Sequence, residues 1–125
     1  MTRKAITSPG ATSVGPYSHG VDADGLVFLS GQTPIDPATG SLVSGGIEAQ
    51  TKQCFQNLRA VLESGGLSLD NVQKVNVYMT DLSGFAAMNE VYRQQFSKPY
   101  PSRTTVGVSS LPLGAQVEIE LIARM

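Results

Sequence analysis

The stretch IEAQTKQCFQNLRAVLESGGLSLDNVQKVNVYM, residues 47–79, decides the fold class, because its periodicity changes part-way along. Ile47, Thr51, Cys54, Phe55, Leu58, Val61 and Leu62 recur at helical spacing. Glu48, Lys52, Gln53, Gln56 and Arg59 fall largely on the other side, and Gly65-Gly66 stops the helix. Val72 to Met79, rich in β-branched residues, then reads as a strand.

Working outward, Tyr17 to Ala23 and Leu26 to Ser30 are separated by Asp24-Gly25, which supplies the positive φ angles of a tight hairpin. The loop DPATGSLVSGG separates this hairpin from the helix. Beyond the central strand, Asp81 and Ser83 are candidate caps for a second helix. Its stripe is Leu82, Phe85, Met88, Tyr92 and Phe96, and Pro99 forbids continuation. Arg103 to Ser109 and Gln116 to Ala123 read as two more strands, parted by Leu111-Pro112-Leu113-Gly114, with Lys4 to Thr7 as a further edge strand.

The order β-β-α-β-α-β-β describes one α+β domain over residues 1–125, with two helices on one face of a sheet of five or six strands. In Leu26 to Ser30 both parities are apolar, so that strand is expected to be buried on both sides. A second copy of the chain is the simplest cover for the other face.

Nine Lys and Arg stand against ten Asp and Glu, a formal net charge of -1, so the charge pattern gives no footprint for nucleic acid. The apolar runs are too short to span a bilayer, and the N-terminus lacks a signal-like apolar region, which together suggest a soluble, cytoplasmic protein. One cysteine, Cys54, excludes an internal disulfide, and a single histidine, His19, argues against a His/Cys metal site.

Between Lys98 and Glu118 the only charge is Arg103, set among Pro, Thr, Val, Gly and Leu. Such an apolar segment is expected in or near the interior, where an unpaired Arg costs several kcal/mol. In the last strand Val117, Ile119 and Leu121 share one face, and Glu118 and Glu120 the other. If the two strands neighbour each other, a structural Arg–Glu ion pair is one explanation. The other is a ligand carboxylate, which guanidinium matches with two parallel hydrogen bonds. Tyr17 is expected to pack, His19 to be structural or at a rim, and Cys54 to be a buried apolar residue. Ser30 and Gly31 end a strand where backbone groups are free to meet a ligand.

The segments GPYSHGV, LSGQTPIDPATG, NLRAVLESGGLSLDNVQKVNVYMTDLSGFAAMNEVY and YPSRTTVGVSSLPLGAQVEIELIA resemble, in order and spacing, the Rid (YjgF) family of reactive imine and enamine deaminases. The resemblance implies a chorismate-mutase-like fold in a homotrimer with a barrel-like centre and clefts between subunits. It implies hydrolysis of 2-imino or enamine acids, such as 2-iminopropanoate and 2-iminobutanoate, to 2-oxo acids and ammonia, with no cofactor and no metal. Arg103 would bind the substrate carboxylate and Glu118 would orient the attacking water. Tyr17, Ser30, Gly31, Asn89 and Thr105 would line the substrate site. Thr105 stands where many deaminase members carry Cys, which changes pocket shape and polarity. Two other readings are a carboxylate-binding regulatory trimer and an endoribonuclease or translation inhibitor; the charge balance argues against the latter.

Overall fold

Helix α1 (Ile47–Ser64) matches the bounds read from periodicity. Its inward stripe is dry: Cys54, Phe55, Leu58 and Val61 are wholly buried. It ends because Gly66 takes φ +76°, which lets Leu67 N–H donate back to the Leu62 carbonyl at 2.8 Å and satisfies a terminal acceptor. The computed structural model that shows this describes residues 3–8 and 15–125.

Six strands form the main sheet: β1 (Lys4–Ile6), β2 (Gly20–Ala23), β3 (Leu26–Gln32), β6 (Val72–Met79), β7 (Ser102–Gly107) and β8 (Val117–Arg124). Their spatial order is β1-β2-β3-β8-β6-β7. All neighbours are antiparallel except β6 and β7, which are parallel because helix α2 (Phe85–Gln95) carries the chain back over the sheet between them. Asp24 (φ 54°) and Gly25 (φ 91°) make the β2–β3 turn as their sequence predicts. Within the turn-rich loop, β4 (Ile35–Asp36) and β5 (Ser41–Leu42) pair in a short second sheet that periodicity did not reveal.

Both helices lie on one face. Val75 and Val77 of β6, Val117 and Ile119 of β8, and Val27 of β3 are completely buried beneath them. Alternation sends the other parity to the opposite face, where Leu26 and Phe28 remain 41% and 42% exposed and Val106 40%. The expectation that β3 is buried on both sides therefore fails within one chain. Its cause is plain: none of the described residues covers the second face.

The Arg103 segment also departs from expectation. It is an edge strand, and its residues alternate between half-buried and exposed instead of lying in the interior. No helix of the described residues is long and apolar enough to cross a membrane.

Because Leu58 is fully enclosed between α1 and the sheet, Leu58→Ala should cost about 2–5 kcal/mol in denaturant unfolding. Leu113→Ala, at a position 58% exposed, should change stability by less than about 0.5 kcal/mol.

Candidate functional site

Arg103 and Glu118 do not meet in this chain. Strand β6 lies between β7 and β8, and the two side chains leave opposite faces of the sheet. Arg103 is paired in register with Val75, on the helix-covered face. Glu118 alternates with the buried Val117 and Ile119 and so occupies the open face. The ion pair considered from sequence is absent: among the described residues Arg103 has no carboxylate partner, and the one salt bridge joins Arg93 to Glu90. The reason is topological. After α2 the chain returns parallel to β6 instead of forming a hairpin with β8.

Around Arg103 the partners come from α2. Its Nη1 donates to Asn89 Oδ1 at 2.7 Å. Its Cζ lies over the ring of Tyr92, 4.6 Å from the centroid, and over that of Phe85, 5.5 Å away. Thr105 follows on the same face of β7, paired with Val77, and its buried Oγ1 has no hydrogen-bond partner among the described residues. Asn89, Tyr92, Arg93, Tyr100, Pro101 and Arg103 line an open cleft of about 300 Å³. Sequence reasoning assigned Tyr92 and Phe85 to an apolar stripe and missed their contact with Arg103. The signal was present, since residues 85, 89 and 92 are spaced to share one side of a helix.

A second group gathers on the open face and at its margin. Leu29 pairs with Leu121 and Gln32 with Ile119, so Ser30 and Gly31 together oppose the single Glu120, a β-bulge. Ser30 Oγ donates to the Ser18 carbonyl at 2.6 Å, tying the bulge to the segment that carries Tyr17 and His19. Tyr17 is exposed and set edge-on to His19, with ring centroids 6.1 Å apart. His19 is buried, as expected of a structural residue, and its Nδ1 has no hydrogen-bond partner among the described residues.

Gly31 is glycine for a spatial reason. A Cβ there would lie 2.5 Å from Glu118 Oε2, so the absent methyl is the room the carboxylate occupies. The two glutamates of β8 differ in their commitments. Glu120 Oε1 accepts from Asn76 Nδ2 at 3.1 Å and from the Tyr78 hydroxyl, and that bond, more than burial or nearby charge, pushes the Tyr78 pKa up to about 12. Among the described residues Glu118 accepts no such bond. Burial, and then the charge of Glu120, raises its pKa above the usual carboxylate value, which makes it a stronger proton acceptor than a free carboxylate. On the helix side of the sheet Cys54 Sγ donates to the Gln32 carbonyl at 3.2 Å, and burial pushes its thiol far up, so it is not a nucleophile.

The chain thus carries two separate groups: Asn89, Arg103 and Thr105 at the β7 edge, and Tyr17, Ser30, Gly31 and Glu118 around the β3 bulge. Comparison with known proteins gives them a context. The family model described as Endoribonuclease L-PSP matches residues 7–125. A RutC family protein of Pyrococcus horikoshii is 45% identical over 98% of both chains. A 2-iminobutanoate/2-iminopropanoate deaminase of Bos taurus is 40% identical over 98% of this chain and 90% of its own. The crystal structure of RidA from the Antarctic bacterium Psychrobacter sp. superposes with a TM-score of 0.94 at 44% identity, covering 98% of this chain and 100% of that one. A match across nearly the whole chain, at such identities and with the same fold, means that this chain belongs to the Endoribonuclease L-PSP family, the Rid or YjgF family.

Proposed function

We propose that this protein hydrolyses 2-imino acids, or their enamine tautomers, of the 2-iminopropanoate and 2-iminobutanoate type to 2-oxo acids and ammonia, without a cofactor. The observation that carries the reading is Arg103: a half-buried guanidinium at the edge of a cleft, held by an amide and two rings and balanced by no carboxylate among the described residues. A charge placed so is compensated by an anionic ligand, and a carboxylate is the group that fits its fork. The 40% identical deaminase supports the reaction class.

In this reading the substrate carboxylate binds Arg103, while Glu118 accepts a proton from water and directs the oxygen at the imine carbon. A bond forms between water oxygen and that carbon, the imine π electrons pass to nitrogen, and the proton taken by Glu118 is returned to that nitrogen, giving a neutral tetrahedral amino alcohol. Glu118 then passes the hydroxyl proton to the amine, the C–N bond breaks, and ammonia leaves as the carbonyl forms. Imines are already electrophilic, so positioning and one proton transfer suffice. Thr105 would offer its unpartnered hydroxyl to the bound ligand.

Since the two groups leave opposite faces of one sheet, a complete site needs Arg103 from one copy and Glu118 from another. We take the assembly to be a homotrimer whose subunits bury the face bearing Leu26 and Phe28, with the clefts between them. Net charge of -1 without clustered Lys or Arg weighs against RNA as substrate despite the family's description.

Arg103→Ala should leave the fold and assembly intact and lower 2-iminopropanoate turnover by at least about 100-fold, the cost of losing a charge-assisted fork. Glu118→Gln should keep 2-oxo acid binding and lose about 100-fold or more in rate. Decay of the imine generated by an amino-acid oxidase, read with a semicarbazide trap, measures both; unchanged turnover in either variant contradicts its assigned role. Gly31→Ala should displace the Glu118 side chain from Cγ outward, because the new Cβ would lie 2.5 Å from Oε2, 3.1 Å from Cδ and 3.2 Å from Cγ, and should abolish most turnover. Full activity in that variant would mean that the Glu118 position is not critical.

A further inference from the structure

We propose that Phe85 and Tyr92 are positioning residues that hold the Arg103 guanidinium in one plane, with Asn89 taking one edge and the other edge left for the ligand. This rests on the reading of Arg103 as the carboxylate anchor. An arginine on a flexible stem gains from its planar fork only if the plane is fixed in advance. Here α2 supplies three contacts from one side: Phe85 and Tyr92 under the cation, and Asn89 between them in sequence, accepting from Nη1 at 2.7 Å.

Tyr92 is itself packed into the core. Its ring meets Phe55 edge-on at 5.7 Å and Phe96 at 5.0 Å, and Phe55 is fully buried, so the core is connected to the anchor through one side chain. The ring, and not the hydroxyl, does this work, because the buried hydroxyl has no hydrogen-bond partner among the described residues. Phe85 points the same way from the opposite circumstance. It is 40% exposed and stands outside the apolar core, and its contact with Arg103 gives that exposed ring a use.

The test measures the rotation of the Arg103 guanidinium by nitrogen-15 NMR, together with pyruvate affinity and the KM and kcat for 2-iminopropanoate. Wild type should show slow rotation. Phe85→Leu, which leaves the core untouched, should free the guanidinium and weaken pyruvate binding by about three- to thirty-fold, with KM rising more than kcat falls and the melting temperature little changed. Tyr92→Leu should do the same, and Tyr92→Phe should restore what Tyr92→Leu loses. Slow rotation and pyruvate affinity within about two-fold of wild type in Phe85→Leu would overturn the proposal. Guanidinium motion does not depend on the reaction. If Phe85→Leu frees Arg103 while wild type neither binds pyruvate nor hydrolyses imine, the positioning stands and the carboxylate-anchor reading falls.

Discussion

Side-chain alternation along β8 is the constraint from which the rest follows. Val117, Ile119, Leu121 and Ala123 must face the helices, because they close the core with Phe55, Leu58 and Val75. Glu118 and Glu120 are thereby committed to the opposite face. A one-residue slip would bury two carboxylates beneath α1 and expose four apolar side chains, a cost of many kcal/mol. Register and the direction of Glu118 are thus fixed by the same hydrophobic burial.

The parallel pairing of β7 with β6 supplies the complementary constraint. It sets Arg103 beside Val75, on the helix side, where α2 can reach it with an amide and two aromatic rings. A fold that separates a cation from the nearest functional carboxylate avoids a self-neutralising ion pair and leaves both charges available to a third party. On this account the exposed Leu26 and Phe28 and the split site are two aspects of one design. In the proposed reaction, the face that no described residue covers also carries half of the chemistry.

Much of this was legible in the chain. Helix α1 and strand β6 were bounded to the residue, because a long amphipathic stripe ended by Gly65-Gly66 and a run of β-branched residues are strong local signals. Strand β2 begins at Gly20, three residues later than read, and β3 runs two residues further, through the bulge. What the sequence left hidden is non-local. Whether β7 neighbours β6 or β8 depends on a crossover that no dipeptide announces, so the relation of Arg103 to Glu118 was undecidable from alternation alone. The burial expected for the Arg103 segment, in or near the interior, is met only in part, at the half-buried Arg103 and Thr105, since an edge strand and a central one can share a composition. The motif positions located Asn89, Arg103 and Glu118, but the tie between Arg103 and the α2 rings required the fold, and so did the room that Gly31 leaves for Glu118.

The central claim is that one working site draws Arg103 and Glu118 from different copies of the chain. Mixing Arg103→Ala and Glu118→Gln subunits, each inactive alone, by unfolding and co-refolding them in equal amounts tests it most directly. Random assembly should return about a quarter of wild-type turnover, since that fraction of interfaces unites an intact Arg103 with an intact Glu118. Turnover no greater than that of the two parent variants, in assemblies shown to be mixed, would place both residues in a single-chain site and contradict the account.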